Sequence, residues 1–255
     1  MPLETPAELL KFFTMLLSLL GPAPKGDPNV NPPTELILKS GDQIVAIGDS
    51  ITQAGGYLKD VDVVLASQYP ELKLPPIINV GISGQKAEDL VQRFQKDVVD
   101  RKPAVVTLSI GINDVWHRSS QPHDPQILAD YWKNVAKMVD MAQLAGIKVV
   151  LLTPTVIRED PKGDENARLR IYIEAQKQVA REKKCVLIDL HAMFTDVISK
   201  RPGDVADPEK WLTSDGVHMK PLGDALMAIG VLRGLGVTDE KILSPKAVAA
   251  APVGK

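Results

Sequence analysis

The chain contains one cysteine, Cys185, in 255 residues. It can therefore form no intrachain disulfide and no cysteine-based zinc cluster. Neither sign of charge dominates: 30 Lys and Arg against 32 Asp and Glu leave a net charge of −2. Proteins that grip nucleic acid carry basic stripes to neutralise phosphates, so no nucleic-acid partner is expected. No apolar run reaches the roughly 20 residues of a membrane-spanning helix, so no transmembrane segment is expected. Two familiar loop signatures are missing as well. Gly55-Gly56 is not followed by the Gly-Lys-Ser/Thr of a P-loop. Gly48-Asp49-Ser50-Ile51-Thr52 ends in threonine where a G-x-S-x-G elbow needs glycine. What is present is a globular composition, 44% hydrophobic and 24% charged, on a chain long enough for a full core.

The ends differ from the middle. Residues 1–35 read as an amphipathic helix followed by a proline-rich linker. Thr5, Pro6 and Glu8 have the order of an N-cap, a first-turn proline and a capping-box carboxylate, and Gly21 stands where the helix would stop. Leu9, Leu10, Phe12, Phe13, Leu16, Leu17, Leu19 and Leu20 make a wide apolar face, which predicts packing on the core or on a partner subunit. A signal peptide fits less well, because the leading charges are Glu4 and Glu8 rather than a basic cluster. A membrane-surface anchor is the third reading. Five prolines between Gly21 and Thr34 mark the linker. Residues 241–255 read as a frayed tail.

The middle, 36–240, alternates apolar runs with helical periodicity. Strands are expected at Gln43–Ile47, Pro76–Val80, Ala104–Ile110, Lys148–Thr153 and Cys185–Asp189. Helices are expected at Tyr57–Gln68, Lys86–Val99, Gln126–Ala145, Glu165–Lys183 and Pro221–Arg233. Continuous apolar strands separated by helices imply a parallel sheet covered on both faces. Function in such α/β sheets sits beyond the carboxyl ends of the strands.

Those ends carry chemistry. Gly48-Asp49-Ser50 follows the first strand and Gly81-Ile82-Ser83-Gly84 the second. Gly111-Ile112-Asn113-Asp114 follows the third, and Asp215-Gly216-Val217-His218 precedes the last helix. A serine hydroxyl needs a base to become a nucleophile. An imidazole, with a reference pKa of about 6.5, is mostly neutral at pH 7 and can be that base. Asp215, three residues before His218, can reach around a turn to Nδ1 and aim Nε2 at Ser50. Backbone N–H groups of Ser50 and Gly84 and the amide of Asn113 could then hold an oxyanion.

In this order the four blocks resemble the SGNH (GDSL) hydrolase superfamily over roughly residues 38–235. Asn79-Val-Gly-Ile-Ser-Gly84 and Gly111-Ile-Asn-Asp-Val-Trp116 are similar to the corresponding stretches of bacterial acetylxylan esterases and carbohydrate deacetylases. The resemblance implies a three-layer α/β/α sandwich around a five-stranded, flavodoxin-like parallel sheet. It also implies ester hydrolysis through an acyl-serine, with no metal or other cofactor. The catalytic residues would be Ser50, Asp215 and His218, and the oxyanion hole Ser50, Gly84 and Asn113. Two positions depart from the family's habit: Met219 follows the histidine where proline is common, and Asp224 stands where histidine is common.

Other residues have plainer readings. Asp49 is expected to hold its loop by hydrogen bonds. His191, the rival base, is more naturally a helix-start or core histidine. His117 and His123 form no ligand set. Trp116, Tyr57 and Arg118 are the candidates for substrate binding, with a pocket-wall or packing role as the alternative for the two aromatics. The expected partner is a small ester or acetylated saccharide. A homo-oligomer is compatible with the sequence, as is either a cytoplasmic or an exported location. A lipid esterase or thioesterase of the same superfamily is the first alternative. A non-catalytic, phosphate-holding module of flavodoxin type is a distant one.

Overall fold

Val and Ile dominate the apolar runs, and side chains branched at Cβ pack well on a pleated surface. In the computed structural model, which describes residues 6–21 and 32–244, these runs form β1 (Ile44–Gly48), β2 (Ile78–Asn79), β3 (Val105–Ser109), β4 (Lys148–Leu152) and β5 (Val186–Ile188). They pair in parallel in the order β2-β1-β3-β4-β5. Every residue of β1 and β3 is buried, as expected for strands covered on both faces. The edge strands β2 and β5 are only two and three residues long. Pro75 and Pro76 precede β2, and proline cannot donate to a ladder, which shortens the expected strand.

The helices are α1 (Pro6–Leu19), α2 (Ser50–Ala54), α3 (Gly56–Gln68), α4 (Ala87–Asp97), α5 (Ile112–Trp116), α6 (Pro125–Leu144), α7 (Asp164–Lys183), α8 (Leu190–Ser199), α9 (Pro221–Gly234) and α10 (Asp239–Ile242). On one face of the sheet α6 packs between α4 and α7; on the other α9 packs against α3 and α8. This is the three-layer α/β/α arrangement. The chain leaves β1 for β2 on one side and returns to β3 on the other. The sheet's switch point therefore lies between β1 and β3, where their exits, Gly48 and Ser109, stand side by side. None of the described helices is long and apolar enough to cross a membrane.

The apolar N-terminal helix packs within the chain. From Leu222 to Gly234, all of α9 is buried apart from Asp224. A helix that is apolar all round needs cover on every side. The sheet covers one side of α9, and α3, α8 and α1 cover the others. Leu9, Phe13 and Leu16 of α1 and Leu20 just after it, at spacings of three and four, line its inner side and are buried. Thr5, the linker residues 22–31 and the tail from 245 lie outside the described residues. Phe13→Ala should cost about 3–5 kcal/mol of stability, read as a lower urea midpoint with an unchanged slope. A midpoint equal to wild type would show that α1 contributes no core.

Candidate active site

Ser50 sits at a sharp turn from strand to helix. β1 ends at Gly48, Asp49 caps α2 with its Oδ1 accepting Ile51 N–H at 3.0 Å, and Ser50 is the first residue of that helix. The loop after β2 closes on this turn. A Cβ on Gly81 would lie 2.3 Å from Gln53 N and 2.9 Å from Asp49 O, so only glycine allows the approach. The next helix is anchored from a distance. Tyr57 N–H at the start of α3 donates to Asp224 Oδ1 of α9 at 3.0 Å. Asp224 thus caps α3, a role its sequence neighbours did not mark, because its partner is 167 positions away.

The Asp215–His218 segment is the tip of a tight loop. Thr213 and Met219 form an antiparallel bridge, and Ser214 N–H donates to His218 O at 2.8 Å. Inside the tip, Asp215 Oδ1 accepts Val217 N–H at 3.0 Å and His218 N–H at 2.8 Å. Its Oδ2 lies 2.6 Å from His218 Nδ1. The other ring nitrogen, Nε2, lies 2.9 Å from Ser50 Oγ. Serine, imidazole and carboxylate therefore form one continuous hydrogen-bonded chain.

The remaining candidates divide. Gly84 has a left-handed φ of +77°, and no acceptor among the described residues takes its N–H. The Asn113 amide donates to Gln85 O, the residue next to Gly84, at 3.0 Å. That bond uses one of its two N–H groups. Trp116 is half-buried and stands edge-on to His218, ring centroids 6.1 Å apart. Tyr57 requires a correction. It is fully buried, 0% exposed, and its hydroxyl lies 3.1 Å from Thr52 Oγ1. It supports the α2 turn from inside and offers no surface to a substrate. Arg118 is tied to Glu88 at 3.0 Å, so its guanidinium already has an anionic partner. His191 is buried at the start of α8 with Nδ1 2.6 Å from Thr155 O. Among the described residues, no three or more His, Cys, Asp or Glu side chains converge as a metal site would require.

The carboxyls in and around the cleft fall into two kinds. Partial burial pushes Asp215 up, but hydrogen bonds from the His218 backbone and ring and from Val217 outweigh it, holding the acid below its ordinary range. Asp49 is buried, and desolvation raises it to about 6 despite Ile51 N–H and the nearby His218. Burial likewise raises Asp114 to about 7, with Ala87 N–H and Arg118 only partly offsetting it. Burial lowers His117, with Lys86 and Arg118 adding to the effect, so it stays neutral near pH 7.

This geometry has relatives. Residues 46–226 match the GDSL-like Lipase/Acylhydrolase family. The chain belongs to that family. It is a carboxylic ester hydrolase. An acetylxylan esterase of Geobacillus stearothermophilus is 30% identical over 216 residues, 77% of this chain and 95% of that protein. A Bacillus subtilis protein described as an uncharacterized lipoprotein is 26% identical over 218 residues, 76% of this chain and 89% of that one. The crystal structure of the Geobacillus esterase, Axe2, superposes with a TM-score of 0.69, covering 78% of this chain and 95% of Axe2. That of LAE5, described as an α/β hydrolase enzyme from the Lake Arreo metagenome, gives 0.68 at 27% identity, covering 78% and 97%. Further Axe2 structures are described as catalytic mutants, with a serine, a histidine or an aspartate replaced by alanine.

The raised carboxyls make a pH prediction. A buried acid whose folded pKa is raised favours folding below its unfolded pKa of about 3.9. For Asp114 that contribution fades as pH climbs through about 7. Asp114→Asn, an uncharged isostere, should therefore gain stability relative to wild type between pH 4 and pH 8. Urea unfolding of both proteins at the two pH values measures this; a gap independent of pH would contradict it.

Proposed function

We propose that the chain is a serine esterase that removes short acyl groups, acetyl above all, from carbohydrates such as acetylated xylan. The observation that carries this reading is the unbroken chain from Ser50 Oγ through His218 to Asp215. The similarity to an acetylxylan esterase supports the substrate class. Half-buried Trp116 beside His218 offers an indole on which a sugar can stack. The catalytic unit is residues 36–240, to which α1 adds an outer layer.

In this mechanism Ser50 Oγ attacks the ester carbonyl carbon while His218 Nε2 takes its proton. Asp215 holds Nδ1–H and stabilises the imidazolium. The oxyanion forms against the N–H groups of Ser50 and Gly84 and the free amide N–H of Asn113, fixed dipoles that need no rearrangement as charge develops. The bond to the sugar oxygen breaks, and His218 returns the proton to that oxygen. Water then attacks acetyl-Ser50 as His218 takes one of its protons. Acetate leaves, and Ser50 regains its hydrogen.

Ser50→Ala should lower kcat by at least about 10⁴-fold and leave the melting temperature unchanged. Retained activity would sink the assignment. Across p-nitrophenyl esters, turnover should be fastest for acetate and fall with chain length; a preference for eight or more carbons would favour a lipid substrate instead. Trp116→Ala should raise KM for acetylated xylooligosaccharides about tenfold while leaving p-nitrophenyl acetate hydrolysis within about twofold. Equal effects on both substrates would remove Trp116 from sugar binding.

A further inference from the structure

The loop bearing Asp215 and His218 is exposed at its tip, and its base is fastened from elsewhere. Glu159, in the segment joining β4 to α7, is buried at 6% exposure. Its Oε1 accepts Leu212 N–H at 2.8 Å, Thr213 N–H at 2.7 Å and the Thr213 hydroxyl at 2.7 Å. Its Oε2 accepts Trp211 N–H at 3.2 Å. Four donors converge on one side chain, the complement an acceptor-only carboxylate requires. All four come from Trp211–Thr213, the segment that leads into the catalytic tip.

The segment carrying Glu159 is itself constrained. Arg158 and Glu159 both have positive φ, +57° and +27°. Two consecutive non-glycine residues in that region are strained and persist only when their surroundings hold them. Here Asn166 of α7 does so: its Oδ1 accepts Ile157 N–H at 3.0 Å, and its Nδ2 donates to Ile157 O at 2.5 Å and Asp160 O at 2.7 Å. The bent segment also meets the tip directly. Arg158 N–H donates to Gly216 O at 2.7 Å, and a Cβ on Gly216, at φ +94°, would lie 3.0 Å from Arg158 Cα.

We infer that Glu159 is a positioning residue for the esterase reaction: its carboxylate fixes the Trp211–Thr213 base and so sets where His218 Nε2 meets Ser50. The inference rests on the reading of Ser50, His218 and Asp215 as the catalytic set. Glu159 touches neither substrate nor reacting atoms. It acts through the loop, and a displacement of about 1 Å at a catalytic group can cost 10²-fold in rate.

The test is Glu159→Gln, which keeps the size but turns an N–H₂ toward N–H donors. In the folded variant kcat should fall about 10- to 100-fold with KM within about twofold. The downfield proton resonance of the His218–Asp215 hydrogen bond should broaden or vanish. Glu159→Asp, which keeps the charge on a shorter reach, should lie between. If Glu159 only stabilises the fold, kcat well below the melting transition and the resonance both stay as in wild type, and the inference is overturned. Should neither Glu159 variant fold, Thr213→Val decides. It removes one donor and keeps the backbone N–H, and should lower kcat about threefold or more at unchanged KM; wild-type kcat would overturn the proposal. Ser50→Ala separates the two claims. If it retains activity, the catalytic reading fails, while the resonance still reports whether Glu159 positions His218.

Discussion

A hydrogen bond of 2.9 Å between Ser50 Oγ and His218 Nε2 joins two points 168 residues apart in the chain. Much of the fold can be understood as holding its two ends still. The serine end is fixed by the parallel sheet: β1 lies at the switch point, the exit of β3 lies beside it, and the short α2 starts at the serine. The histidine end belongs to no sheet strand. It hangs on a bridged loop, fastened below by Glu159 and followed at once by the buried helix α9. Asp224 then links that same helix back to α3, next to the serine turn. Both ends are thus tied to one buried helix.

The carboxyls show how one kind of side chain is given different work by its surroundings. Asp215 is the exposed one, 48% accessible, and it stays ionised because N–H groups point at it. Asp49 lies one residue from Ser50 but is buried, and its acidity is weakened by lost hydration. The acid closest in sequence to the serine is therefore a cap for a helix turn. Asp215, far along the chain, is the one that pairs with the His218 ring.

The sequence showed the elements that are buried on both faces, and it marked Ser50, Asp215 and His218, which the fold brings into one hydrogen-bonded set. β1, β3 and all of β4 after Lys148 are buried, so their runs are largely apolar. The strand ends could be inspected because parallel sheets place function there. What the sequence hid is local geometry without periodicity. α2 and α5 have five residues each, too few for a 3.6-residue repeat to emerge. Tyr57 begins a helix, and nothing in its neighbours tells whether the ring faces the cleft or the core. Glu159 is one acid among many in the sequence; the 52 to 54 positions between it and its donors carry no local mark.

The first helix carries a consequence of another sort. α1 has no basic residue in its last turn, so it does not balance the negative end of its own dipole. Lys200, just after α8, donates to Leu19 O at 2.6 Å, and Arg233 of α9 donates to Gly21 O at 3.4 Å. A 14-residue helix is marginal alone, and both its apolar seat and its cationic cap come from residues after 190. During synthesis α1 leaves the ribosome before its docking surface on α8 and α9. Until those helices follow, its Leu and Phe side chains have no seat on them. The layer that covers α9 in the finished protein is made before the helix it covers.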